Sequence, residues 1–350
     1  MYPETNNTML ALHMPSFIPS SKSLTTLPLT SQPIPNPTKD QVLVRITHVS
    51  PQQVDILYAR GAHQNNNPRH GHVHPPFTPG LDFAGIVVSA PHDCGFRQND
   101  AVMGSHLGAF AEYVAVPVHV LRRVPKGVDG RMAVAVVGGV VAFAAVKIVA
   151  NVRRGETVLV TGVPGGLGVV AALVARELGA RVFVLARNGA RAEMVRRRLE
   201  GVEVLAADED WFGRIRQMTG GKGVDVVVDH VGVVDEGLKC LKFGGRIVLV
   251  GFAGRKGVME KIGMNKILLK GATVVGYRYG EALRQSQGPS AEELWEGYAE
   301  MLGRRAIRPV IDERKYHGLK NVPQALHDME QGNVFGKAVI ALDENSRSSL

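Results

Sequence analysis

The sequence predicts an α/β protein of two domains, one of them built on a doubly wound parallel sheet. Three observations predict it. The chain has 350 residues, more than the roughly 100–200 that one domain usually takes. From Thr157 onward, short β-branched runs alternate with helix-like stretches, the pattern of a parallel sheet covered on both faces. The 40 glycines recur at the ends of apolar runs, where such a sheet has to turn.

The first third reads as β-rich. Val42–Ile46, Phe83–Val88 and Phe110–Val116 are expected strands, separated by loops of proline, glycine and asparagine. Ala62–Pro79 reads as a loop rich in histidine, asparagine and proline. Within it His70, His72 and His74 alternate. On a strand they would share one face as metal ligands, but the surrounding composition favours a polar loop. At Arg131 a helix-like apolar stretch begins, leading to Glu156. Its uncharged part, Met132–Val146, falls short of the ~20 residues of a membrane span and reads as a buried helix.

Beyond it, Thr157–Thr161 is an expected strand, Gly168–Leu178 a helix and Arg181–Ala186 a strand. Further strands are expected at Val202–Leu205, Val224–Asp229, Arg246–Val250 and Thr273–Gly276, and a helix around Ala291–Gly303. Pro309 opens a mixed segment that ends in the expected strand Lys337–Leu342.

With 45% hydrophobic and 21% charged residues, the composition excludes a disordered or collagen-like chain. Lysine and arginine outnumber aspartate and glutamate, leaving a net charge of +9. That balance suits an anionic cofactor as well as it suits nucleic acid or an acidic membrane. Two cysteines, Cys94 and Cys240, give neither a disulfide framework nor a cysteine-rich zinc site. A reducing compartment is expected: the cytoplasm, with the mitochondrial matrix as the alternative. The polar start of the chain, with Glu4, shows no secretory signal. No arginine precedes Arg45, against a mitochondrial presequence, and the final Ser348-Ser349-Leu350 does not match the peroxisomal Ser-Lys-Leu address.

The strongest local signal is Val158–Thr161 running into Gly162-Val163-Pro164-Gly165-Gly166-Leu167-Gly168, with a helix behind. Glycines let the backbone turn tightly and approach a pyrophosphate, whose charge then sits on the N–H groups of the helix start. Pro164, Gly165, Gly166 and Leu167 are therefore candidate cofactor contacts on a Rossmann unit. After the second strand comes Arg187-Asn188-Gly189-Ala190-Arg191, with no carboxylate before Glu193. An NAD site places Asp or Glu here for the ribose 2′-hydroxyl, and an NADP site places arginine near the 2′-phosphate. Arg187 and Arg191 thus point to NADPH. The competing reading is a solvated helix start shared with Arg196, Arg197 and Arg198. Gly251, Phe252 and Tyr277 complete the expected cofactor residues.

A series of motifs in order resembles the medium-chain dehydrogenase/reductase superfamily, in its zinc-free quinone oxidoreductase branch. The series is Val54-Asp55 with Arg60-Gly61, Pro79-Gly80-Leu81-Asp82-Phe83-Ala84-Gly85, and Gly108–Tyr113. It continues through the glycine loop, Gly223-Val224-Asp225 to Gly232, Gly244–Ile247, Asn265–Gly271 and Gly336–Val339. The resemblance implies a chaperonin-10-like (GroES-like) catalytic domain at 1–130 and a Rossmann domain inserted at 131–304. Residues 305–350 would then return to complete the first domain. It also implies a homodimer joined through the last Rossmann strand, where Thr273–Tyr277 forms an apolar edge. Zinc-dependent members carry a cysteine, a Gly-His-Glu motif and a later cysteine, and the matching positions here are Gln52, Leu81-Asp82 and Val137. No metal is expected, because amide and hydrocarbon side chains do not make zinc's ligand set.

Relatives without zinc reduce quinones or carbon–carbon double bonds beside a carbonyl, so the implied substrate is a small quinone, enone, enoyl thioester or alkenal. His63 stands where relatives often carry a tyrosine, two residues after the glycine matching Gly61, and is the candidate proton donor. Gln52, where quinone reductases usually carry asparagine, is the candidate for holding a substrate carbonyl or the nicotinamide amide. Tyr58 is one position away from a common family tyrosine, and Ala206 stands where relatives often place a tyrosine in the adenosine pocket. Two alternatives compete. A short-chain ketone reductase would use Tyr316-x-x-x-Lys320, but some 156 residues precede the Rossmann strand, where that family begins. An RNA-binding or regulatory protein on a retained dinucleotide fold is compatible with the charge, yet no aromatic-rich RNA motif is present. No membrane partner is expected.

Overall fold

The computed structural model describes residues 8–208, 210–254, 260–304 and 306–342. They divide into two compact units, one holding the chain up to Val137 and from Ile311 onward, the other Gly138–Val310.

In the first unit, β1 (Thr8–Leu12) and β2 (Leu29–Pro33) form an antiparallel pair. β3 (Gln41–Ser50), β4 (Asp82–Ser89), β5 (Ala101–Ser105), β6 (Tyr113–Pro117) and β7 (Leu121–Arg123) make most of a second sheet. Valine and isoleucine fill its inward positions: Val42, Val44, Ile46, Val87, Val102 and Val116 are all buried, as β-branched side chains on a half-covered sheet should be. α1 (Gln53–Arg60) follows β3, and α2 (Gly130–Val137) packs on β3, β4 and β5. That packing moves the boundary expected after residue 130 to Val137.

β6 is shorter than expected and begins at Tyr113 rather than Phe110. The Phe110 N–H donates to Pro79 O and its carbonyl accepts from Leu12, both at 2.9 Å. The residue therefore ties β1 to the Pro79 turn instead of joining the ladder. His70, His72 and His74 lie on no strand; their loop is cross-tied by Val73 N–H to Asn65 O at 3.0 Å and by the buried Asn66 amide to Val73 O at 2.8 Å.

The apolar run expected as one buried helix is broken at Gly138. α2 ends there, and α3 (Gly139–Phe143) continues into a wider π-helical turn, Ala144–Val149. At Gly139 a β-carbon would lie 1.9 Å from the Tyr298 hydroxyl, so this close approach admits only glycine. Among the described residues no single helix is long and apolar enough to cross a membrane.

The second unit holds a six-stranded parallel sheet. Its strands are β8 (Thr157–Val163), β9 (Arg181–Ala186), β10 (Glu203–Ala206), β11 (Val224–Asp229), β12 (Leu241–Leu249) and β13 (Thr273–Gly276), in spatial order β10-β9-β8-β11-β12-β13. The order reverses at β8, the switch point of a doubly wound fold. Helices α4 (Gly166–Glu177), α5 (Gly189–Arg198), α6 (Trp211–Met218), α7 (Val234–Cys240), α8 (Met264–Lys270), α9 (Tyr279–Arg284) and α10 (Ala291–Gly303) alternate with or follow the strands. β12 starts at Leu241, not Arg246, because its register with β11 jumps between Leu241 and Arg246. Gly244 and Gly245 occupy that irregularity rather than a preceding turn.

The chain then returns to the first unit as β14 (Tyr316–His317), α11 (Val322–Glu330) and β15 (Ile340–Ala341). β15 pairs antiparallel with β3 and parallel with β14. The strand expected over Lys337–Leu342 is only these two residues, since Lys337 makes a single bridge to Ile311 and sends its ammonium group to Asp82. Each unit has its own core. Phe83, Phe110, Leu24 and Leu121 anchor the first, and Leu159, Phe183, Trp211 and Ile215 the second. Each such buried side chain contributes ~1.5–3 kcal/mol of transfer free energy.

Candidate functional site

The glycine loop is built from the end of β8. Gly162 takes φ +76°, in the left-handed region, and a cis bond joins Val163 to Pro164. Gly165 then caps α4 with its N–H on Gly162 O at 2.9 Å. β-Carbons at Gly165 and Gly168 would lie 2.8 and 2.6 Å from that same carbonyl. The loop is thus closed so tightly that only glycine fits, and no side chain caps the helix start. α4 begins at Gly166, earlier than the expected Gly168, which puts Gly166 and Leu167 in its first turn. Their N–H groups and the positive helix end form a seat for an anion.

Beside it, β11 ends in the fully buried Asp229. Its carboxylate accepts from Thr161 Oγ1 at 2.7 Å and from the N–H groups of Val231, Gly232 and Val233 at 3.0, 3.1 and 2.8 Å. His230 follows, with Nδ1 at 3.1 Å from the carbonyl of Thr161. A carbonyl only accepts, so Nδ1 carries the proton, and burial holds the ring's pKa below its ordinary value. Next, Val250 and Ala253 donate to Asp229 O and His230 O at 2.7 and 3.1 Å, bracketing Gly251 and the partly exposed Phe252. Tyr277 adds one rung beyond β13, donating to Leu249 O at 2.8 Å. Burial, with Tyr279 beside it, pushes its phenol up to about 12. Tyr277 also lines a cavity of about 430 Å³ with Ile148, Val275, Leu283 and Leu294.

At the end of β9, Asn188 caps α5 by accepting the Arg191 N–H at 3.0 Å. Arg187 is exposed and Arg191 half-buried. Burial, and then the charge of Arg187, lower the pKa of Arg191. The two guanidinium groups therefore lie close enough to repel, an arrangement that welcomes a phosphate. Further along α5, Arg196 and Arg197 pair with Glu193, at 3.5 and 3.0 Å. The glycine loop, Arg187, Gly251, Phe252 and Tyr277 all follow the carboxyl ends of parallel strands, the edge where doubly wound sheets bind ligands.

The catalytic candidates belong to the first unit. Gln52 is half-buried at the start of α1, its N–H donating to Asp55 Oδ2 at 2.7 Å. His63 Nδ1 accepts the Asn65 N–H at 3.0 Å, so the neutral ring carries its proton on Nε2. Tyr58, buried, packs edge-on against His63 with centroids 4.7 Å apart, and its hydroxyl accepts from the Asn65 amide at 2.9 Å. The structure thus brings Tyr58 and His63 together, a partnership the sequence did not reveal.

Of the positions matching zinc ligands, Gln52, Leu81 and Val137 offer an amide and two hydrocarbon groups. An amide with two hydrocarbon groups does not fit zinc's ligand set. The Tyr316 hydroxyl donates to Asp328 Oδ2 at 2.7 Å. Sequence reasoning missed Asp229, His230, Asp82 and Lys337. The available signal was polar residues inside or ending apolar strand runs.

Two family profiles match: the alcohol dehydrogenase GroES-like domain over residues 38–126 and zinc-binding dehydrogenase over residues 166–296. The chain is 32% identical to quinone oxidoreductase-like protein 2 of Rattus norvegicus, over 74% of each chain. To the quinone oxidoreductase of Sus scrofa it is 27% identical, covering 88% of this chain and 91% of the other. A solved structure described as a probable oxidoreductase from Mycobacterium abscessus superposes with a TM-score of 0.81 at 30% identity, covering 96% of this chain and all of that one.

The glycine loop generates a direct expectation. Gly168→Ala drives a methyl group into Gly162 O and should weaken NAD(P)H binding at least about tenfold, measured by fluorescence titration. Unaltered affinity would mean that the helix start carries no phosphate.

Proposed function

We propose, because the chain belongs to the medium-chain dehydrogenase/reductase superfamily and to its quinone oxidoreductase-like branch, that this oxidoreductase uses NADPH, without zinc, to reduce a quinone or an α,β-unsaturated carbonyl. One observation carries the reading: an uncapped, glycine-closed helix start stands with two mutually repelling arginines on the same sheet edge. The first suits a pyrophosphate and the second a ribose 2′-phosphate. The absence of thiolate and imidazole at Gln52, Leu81 and Val137 supports chemistry without zinc.

When bound, NADPH supplies the hydride, and that chemistry is the cofactor's own. The chain binds, orients and polarises. Pro164, Gly165, Gly166 and Leu167 hold the pyrophosphate, Arg187 and Arg191 the 2′-phosphate, and Gly251, Phe252 and Tyr277 the remainder. Gln52 holds the acceptor's carbonyl through its amide. His63 donates a hydrogen bond from its Nε2–H to the developing oxyanion, since its Nδ1 accepts from Asn65, and the proton that balances the hydride comes from water.

We read the protein as a homodimer. Among the described residues β13 pairs on one side only, with β12. Nearby, Phe243, Met264, Leu268 and Leu269 are 77, 76, 79 and 73% exposed, and the Phe243 ring lies against the Gly271 cap of α8. An open strand edge with an apolar patch beside it is an aggregation liability unless a second copy covers it.

Four outcomes are expected. NADPH oxidation against quinones, enones, enoyl thioesters and alkenals should show turnover with at least one class, undiminished by a zinc chelator. Arg187→Ala should cost NADPH about 1.5–3 kcal/mol of binding, roughly ten- to a hundredfold in affinity, and leave NADH binding unmoved. Equal wild-type affinity for both cofactors would reject the NADPH assignment. His63→Ala should lower kcat roughly 10²-fold with NADPH affinity intact; unchanged turnover returns His63 to a loop-capping role. Light scattering at micromolar concentration should report a dimer, and Leu268→Glu with Leu269→Glu a monomer.

A further inference from the structure

Three charged side chains are enclosed in the first unit. Asp55, Asp82 and Lys337 are 1, 0 and 8% exposed. They come from segments far apart in sequence: the first turn of α1, the first residue of β4, and the stretch before β15. Lys337 Nζ donates to Asp82 Oδ2 at 3.0 Å, and Gln52 N–H donates to Asp55 Oδ2 at 2.7 Å. The Oδ1 atoms of both aspartates are buried and, among the described residues, have no partner.

Two carboxylates and one ammonium leave an excess negative charge out of water, and two acceptor atoms lack a donor. Each deficit is costly in a low-dielectric interior. One proton relieves both, because it cancels the charge and turns an acceptor into a donor. Lys337 pairs directly with Asp82, whereas Asp55 is bonded by the Gln52 N–H and feels the Lys337 charge without a direct bond to it.

We propose that Asp55 is held as a carboxylic acid in the same buried cluster as the Asp82–Lys337 ion pair, and that this acid positions Gln52 by accepting the Gln52 N–H. The Gln52–Asp55 bond has the form of half a capping box, but an ordinary cap is exposed and ionised. Here burial first, and then the charge of Asp82, push the Asp55 carboxyl up to about 8, against the opposing pull of the Gln52 N–H and Lys337. These groups, from α1, β4 and the returning segment, are the ones acting on it. Asp55 is a positioning residue, since it touches the backbone of Gln52 and not the substrate. That half of the inference rests on the role proposed for Gln52; the buried acid does not.

The folded chain binds this proton more tightly than the unfolded chain does. Asp55's contribution to stability is therefore fully present below the ordinary carboxylate range and is lost as pH rises through about 8. The test uses the full chain and three readouts between neutrality and about pH 10. They are the infrared carbonyl stretch of a protonated carboxyl, the melting temperature, and kcat with KM for NADPH on a quinone. In the wild type, the band, the melting temperature and kcat should fall together. In Asp55→Asn, whose amide replaces the O–H donor, the band should be missing and the pH dependence of the other two flattened. Asp55→Leu, which removes the acceptor of the Gln52 N–H, should lower kcat roughly tenfold or more without moving KM for NADPH.

A wild type with no carboxyl band at neutrality, or a melting slope that survives in Asp55→Asn, overturns the buried acid. A band that titrates while kcat stays level overturns the positioning role. If no acceptor is turned over, the functional reading fails, and the band and melts still decide the state of Asp55.

Discussion

The carboxyl edge of the parallel sheet depends on one buried carboxylate. Asp229 joins β11 to β8 through Thr161 Oγ1 and holds the turn at Val231–Val233 through three backbone N–H groups. Thr161 immediately precedes Gly162, so the same bond that closes this turn fixes where the glycine loop begins. His230 completes the tie by donating its own N–H to Thr161 Oγ1 at 2.9 Å. Without the carboxylate several buried donors would be left unsatisfied, at about 1–3 kcal/mol each.

What was legible in the sequence was local or repeated in order along the chain. Arg181–Ala186, Val224–Asp229, Thr273–Gly276 and Ala291–Gly303 form the elements expected of them. Their patterns contain their own cause: β-branched runs, bounding glycines, and for the last helix the cap Ser290 with Glu293. The glycine loop was legible for the same reason. Asp82 and Lys337 were not, because their bond spans 255 positions and neither neighbourhood announces the other. Thr161 and Asp229 stand 68 apart, hidden at the ends of two similar valine-rich strands.

The break at Gly138 shows a different limit. Within the run from Met132 to Val146 only Gly138-Gly139 interrupts the apolar side chains, and that pair by itself does not say which neighbour requires it. The reason lies on α10, where the Tyr298 ring occupies the space a side chain at residue 139 would need. Phe143 packs against the same ring with centroids 5.9 Å apart. One half of the run serves the antiparallel sheet, and the other half serves α4 and α10.

The strand β15 carries a consequence for how the chain is made. It pairs with β3, so residues 340–341 must be present before the first unit's sheet is complete. The second unit is continuous in sequence, from Gly138 to Val310, and needs nothing that lies beyond it. As the polypeptide leaves the ribosome, the earlier part of the first unit must wait for its later part, while the segment between them folds. Order of synthesis and order of completion are therefore opposed, and until residues 340–341 emerge β3 and β14 lack the strand that joins them, an open edge for chaperones to guard.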